Sequence, residues 1–162
     1  MKAGVSVVTD DVAKLLATIK GMAAAGQVYV GIPDETDDRD GPIGNAAIGY
    51  INEFGSAAQG IPARPFLGPG VEKVAGKCMD EQKKGIISAL TSFSPSDVIR
   101  GQNRAGLMAQ NSVRATITAG DGFEPLSAAT LAARKRRKVT RTKPLIDTGS
   151  LRTSITYVIR DE

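Results

Sequence analysis

The apolar positions of this chain fall mostly into helical periods, with two short β-like runs between them. After a short extended piece near the N-terminus, Val12, Leu15, Leu16 and Ile19 recur at helical spacing. Thr9 or Asp10 stands as the N-cap and Gly26 as the closing residue. "QVYVGIP" is β-branched, apolar and ended by a breaker, which predicts a strand over residues 28–32. "DETDDRDGP" follows as an acidic loop. Asn45 is placed to cap a short helix, "AAIGYINEF", that stops at Gly55. "GSAAQGIPARPFLGPG" is rich in Gly and Pro and reads as an irregular loop.

Two longer helices come next. Over residues 69–90, Val71, Val74, Cys78, Gln82, Ile86 and Ala89 share one face. Ser94 and Pro95 give a cap and a first-turn proline to a helix running through Ala119. Its narrow apolar stripe is Val98, Ala105, Met108, Ala109, Val113 and Ile117, and Gly120 ends it. "LSAATLAARKRRK" predicts a shorter helix with a basic end. One or two helical turns follow "DTGS", and "SITYVIR" alternates as a half-buried terminal strand. The expected class is α+β: a small mixed or antiparallel sheet packed against two long helices, with long loops that order on assembly. All 162 residues read as a single domain, with an acidic loop at 34–42 and a basic segment at 134–143.

Composition narrows the chemistry. Aromatics are only 4% of the chain and Trp is absent, so the core must rest on Ala, Val, Ile and Leu. The chain has no His, which removes the commonest general base and metal ligand. Its one cysteine, Cys78, excludes an internal disulfide and a cysteine zinc cluster. Cys78 sits on an apolar helix face with no His to activate it, so catalysis by it is not expected. No apolar run reaches the roughly 20 residues of a membrane span. The N-terminal stretch lacks the apolar core of a signal peptide, so a soluble protein made in a cytosol is expected.

The net charge of +4 is local. Arg134, Lys135, Arg136, Arg137, Lys138, Arg141 and Lys143 are seven of the 21 basic residues, leaving 14 basic against 17 acidic residues elsewhere. Such a run either neutralises phosphates or meets an acidic protein surface. No aromatic lies inside it to stack on bases, which argues against sequence-specific single-strand recognition. The acidic loop holds Asp34, Glu35, Asp37, Asp38 and Asp40, but their spacing does not fit a calcium loop, and a solvated loop is expected.

"PLIDTGS" resembles the active-site loop of an aspartic protease. That chemistry needs two aspartates sharing a proton, and this chain has one Asp-Thr-Gly in a helix-rich context. The alternative is a structural turn, in which Gly149 supplies conformational freedom and an oxygen of Asp147 or Thr148 accepts backbone N–H groups near Gly149 and Ser150.

Three segments, in order, are "IGYINEFGSAAQGIPARPFLGPG", "EPLSAATLAARKRR" and "KPLIDTGSLRTSITYVIR". Together they resemble the small neck and tail-completion (virion morphogenesis) proteins of tailed bacteriophages and prophages, over most of the chain from "VYVGIP" onward. The resemblance implies a non-enzymatic structural protein of the virion, made in the host cytoplasm, with no cofactor, metal or membrane. It would form a homo-oligomeric ring, hexameric by expectation, around the DNA channel at the head–tail junction. Its partners would be neighbouring neck, tail-terminator or tail-tube proteins, with non-specific contact to channel DNA as a further possibility. In that family Asp-Thr-Gly is a structural signature. Arg64, Pro65, Phe66 and Leu67 are the interface candidates. Phe66 and Leu67 are expected to be buried in the body or in a subunit contact, and Arg64 to pair with a carboxylate or with backbone carbonyls. The alternative function is a small nucleic-acid-binding protein using the 134–143 run.

Overall fold

A computed structural model describes residues 11–33 and 43–161. The acidic loop, the N-terminal extended piece and the Thr9 or Asp10 cap lie outside the described residues. Along the chain come α1 (Asp11–Ala23), β1 (Gln27–Gly31), α2 (Asn45–Phe54), a 3-10 turn (Ala57–Gln59) and α3 (Leu67–Glu72). They are followed by α4 (Ala75–Ser92), α5 (Ser96–Ala119), α6 (Ala128–Arg136), α7 (Ser150–Ser154) and β2 (Thr156–Arg160). The class is α+β. The two strands pair antiparallel, Gln27 opposite Arg160 and Gly31 opposite Thr156.

The architecture is an α4–α5 hairpin with the two-stranded sheet laid on α5. The hairpin closes at glycines. A Cβ built on Gly85 would lie 2.8 Å from the Asp97 carbonyl oxygen, and one on Gly101 would lie 2.8 Å from that of Glu81. The helices approach backbone to backbone, so the buried face of α4 turns toward Gly85 and Ala89 and leaves Ile86 exposed. That corrects the apolar face assigned from spacing, because periodicity scores glycine as neutral when here it is the packing residue. Glu81 ties the helices further. It accepts from Lys84 on α4 and from Arg104 on α5, each at 2.6 Å, and these partners hold its carboxyl below the ordinary carboxylate range. The stripe on α5 is buried as expected at Val98, Ala105, Ala109, Val113 and Ile117. The ring of Tyr157 lies against Gly106, and its hydroxyl donates to Asn103 Oδ1 at 3.0 Å.

The main core gathers Phe66, Val113, Ile117, Leu151 and Ile155, with Val30, Ile48 and Val71 among those packed against it. Three expectations change. The helix over 69–90 is two helices, α3 and α4, interrupted at Lys73 and Val74, and α3 begins inside the loop read as irregular. A Cβ on Gly70 would lie 2.7 Å from Val113 Cα, so α3 sits directly on the α5 backbone. Asn45 does not cap α2. It is buried and exchanges hydrogen bonds with the Ser150 hydroxyl at 3.0 and 3.2 Å, joining α2 to the start of α7. The Ser94 side chain does not cap α5 either. Its carbonyl accepts Asp97 N–H, and Pro95 takes the N-cap position.

No helix among the described residues is long and apolar enough to cross a membrane.

Candidate functional site

A cleft of about 720 Å³ opens where three stretches meet: the loop after α2, the segment leading into α6, and residues 145–151. Hydrogen bonds between buried or half-buried polar side chains and backbone groups hold these stretches in place.

The first lock is in the segment 62–67. Arg64 is 7% exposed, and its guanidinium donates to the carbonyls of Glu124 (2.6 Å) and Pro125 (2.9 Å). Its own N–H donates to the Asn52 carbonyl at 2.6 Å. The planar fork suits two adjacent carbonyls better than an ammonium could. Phe66 is 2% exposed in the core, Leu67 is half-buried and Pro65 is exposed.

The second lock was not found from sequence. α3 begins with no side-chain cap of its own. Glu53, near the end of α2, accepts the N–H groups of Phe66 (2.7 Å) and Leu67 (2.8 Å) on Oε2, and that of Gly68 (3.0 Å) on Oε1. A carboxylate there satisfies the orphan donors of the first turn and complements the helix dipole. The available signal was a helix opening on "PFLGP" without Ser, Thr, Asp or Asn, which requires a donor sink elsewhere.

The basic run forms the third lock. Arg134 is 6% exposed, and its Nη1 donates to the carbonyls of Arg141 (2.9 Å), Lys143 (2.9 Å) and Ile146 (3.0 Å). It therefore does not face a channel or a neighbour. Its buried charge is satisfied by carbonyl dipoles in place of a carboxylate. Arg141 donates to the carbonyls of Asp147 and Thr148. Lys143 donates to those of Thr118 and Ala119 at the C-terminus of α5, where a cation complements the helix dipole. The side chains of Lys135, Arg136 and Lys138 are exposed and make no hydrogen bond or ion pair among the described residues. Replacing Arg134 with Met should remove about 1–3 kcal/mol of stability in urea unfolding, because three carbonyls lose their donor. An unchanged midpoint would show that water replaces the guanidinium.

Asp147 is also reassigned. Its Oδ2 accepts Arg137 Nη2 at 2.8 Å, and its Oδ1 is buried with no partner among the described residues. The turn oxygen is that of Thr148, whose hydroxyl accepts Ser150 N–H at 3.2 Å, and Gly149 sits at φ 97°. Asp147 thus faces a guanidinium, where an aspartic protease has a second carboxylate. Both partners are partly exposed. Asp147→Asn should cost less than about 1 kcal/mol, as for other solvent-exposed ion pairs. A loss well above that in thermal unfolding would mean that the buried Oδ1 has a stabilising role.

Cys78 donates its thiol to the Ala105 carbonyl at 3.4 Å, and burial pushes that thiol up from its ordinary value. It lies between the hairpin helices, away from the cleft residues.

Protein-family models, curated proteins and solved structures all yield no match to this chain.

Proposed function

We propose that the chain is a structural subunit of the head–tail junction of a tailed bacteriophage or prophage, a neck or tail-completion protein that assembles into a ring around the DNA channel. The observation that carries this reading is the joint occurrence, in order, of the "NEFG…IPARPFL", "LSAATLAARKRR" and "LIDTGSLRTS" segments. They converge on one cleft in which two arginines are nine-tenths buried on backbone carbonyls. This arrangement uses the family-like residues to fix loop shape. A ring subunit needs such loops, because its neighbours read them as rigid surfaces.

The unpaired cations narrow the contact. Lys135, Arg136 and Lys138 are the members of the basic run free to meet a partner, and an acidic neighbouring neck or tail protein fits them. Tight attraction to channel DNA would hinder its ejection. Charge reversal of all three should leave thermal unfolding unchanged and lower head–tail joining by at least about tenfold, since like charges across an interface cost several kcal/mol. Plaque counts on a complemented host measure this, and normal counts would remove the patch from the assembly contact. The reading as a whole is tested by mass spectrometry of purified mature particles, where absence of the chain would sink it.

The same three exposed cations favour a second reading, a nucleic-acid-binding protein. Binding to random duplex DNA should then weaken linearly with log salt, with a slope of about −0.9 per phosphate contacted. Lack of binding at low salt would dispose of it.

A further inference from the structure

We propose that the cleft beside Arg64 is a docking groove for an extended peptide segment of a neighbouring protein, with a carboxylate of that segment seated on the Arg64 guanidinium. Arg64 is 7% exposed and lines the cleft. A guanidinium offers five N–H donors in a planar fork. The carbonyls of Glu124 and Pro125 take one edge of the fork, Nε and Nη2. The other edge, Nη1 with the second N–H of Nη2, meets no acceptor among the described residues. A nine-tenths buried side chain thus keeps a parallel pair of donors in reserve. A carboxylate is the group that answers such a pair with two parallel hydrogen bonds.

The surroundings select an anion of low charge. Arg134, 6% exposed, lines the same cleft and adds its charge from behind, held there by carbonyls. Helix α6, nine residues long, opens on the cleft through Ser127 and Thr130, so the positive end of its dipole adds to the field. Two acidic residues line the cleft as well: Asp147, which is paired with Arg137, and Glu124, which is exposed. Both oppose a polyanion. No aromatic stands among the lining residues to stack on a base, so nucleic acid fits the cleft poorly.

The size and the walls point to a peptide. At about 720 Å³ the cleft holds much more than one carboxylate. Ile61, Pro62, Leu126 and Leu145 give it aliphatic walls. An acidic residue flanked by aliphatic ones, in an extended segment, satisfies the donors and the walls together. That this segment belongs to an acidic neck or tail neighbour rests on the functional reading above; the chemistry of the cleft does not.

Random short peptides displayed on filamentous phage and selected on the immobilised chain provide the test. Enriched sequences should carry Asp or Glu between aliphatic residues. One such peptide, resynthesised with both ends capped, should bind in fluorescence anisotropy at least about tenfold tighter than its Asn or Gln counterpart. Arg64→Lys, which keeps the charge and loses the fork, should remove that preference. If it also lowers the melting temperature, Thr130→Glu decides. A glutamate at the third position of α6 suits the Ser127 cap and preserves folding, yet it adds a like charge to the cleft, and binding should fall at least about tenfold. With Lys135, Arg136 and Lys138 all changed to Gln, the preference for the carboxylate should persist. No enrichment, or an enriched peptide indifferent to its carboxylate, overturns the proposal. So does unchanged binding to Thr130→Glu, or a preference that vanishes with the three exposed cations, which would place the peptide on the basic run. Peptide binding by a chain absent from virions sinks the functional reading alone. A chain present in virions that selects no such peptide sinks this inference alone.

Discussion

Phe66→Ala should lower folding stability by about 3–5 kcal/mol, at the upper end of what truncating a buried side chain costs. The ring is 2% exposed and among the largest fully buried side chains. It touches the centre of the core, with Val113 and Ile117 on α5 and Leu151 and Ile155 at the α7–β2 junction. Those neighbours are anchored independently. Arg114 on α5 donates to the carbonyls of Thr153 and Ile155, and α3 is pressed onto α5 at Gly70. They cannot collapse into the space the ring leaves, so a cavity term adds to the lost transfer free energy. Phe66→Leu should recover more than half of the loss. Chemical denaturation of both variants checks this, and a loss under about 1 kcal/mol for alanine would mean that the core closes around the gap.

Glu53→Ala should cost about 2–3 kcal/mol, the range for hydrogen bonds to a charged group whose removal leaves partners unsatisfied. One carboxylate serves three consecutive amides, and α3 has no other cap. Glu53→Gln keeps one acceptor oxygen and should fall between wild type and Ala. Because Phe66 is itself the N-cap residue of α3, the two sites are not independent. A double variant of Glu53→Ala with Phe66→Ala should lose less than the sum of the single losses, since either change already frees the start of α3. Strict additivity in a double-mutant cycle would show that the cap and the ring hold α3 separately.

Local chemistry made much of the fold legible in the sequence. The 24-residue helix α5 was readable because its apolar stripe is long and regular and ends at Gly120, at φ 69°. Strand β1 follows from its β-branched run, α6 from the "LSAATLAARKRRK" stretch with its basic end, and the turn before α7 from Gly149. Burial of Phe66 and fixed partners for Arg64 were likewise expected, but only the structure chose the body over a subunit contact for the ring and carbonyls over a carboxylate for the guanidinium.

What the sequence left open depends on residues distant from one another. Spacing marks which side of a helix is apolar, and it does not say whether anything covers that side. Hence α1 and α4 carry stripes that the fold leaves exposed, while the glycines at 85 and 101, without hydrophobic weight, form the hairpin contact. A run of seven cations looks like one patch until Arg134 turns inward onto three carbonyls, Arg137 takes Asp147 and Lys143 takes the end of α5. Glu53 and Asn45 belong to the same class. Their partners lie 13 to 105 residues away, so only the folded backbone, by leaving particular donors and acceptors without water, decides which side chain must answer them.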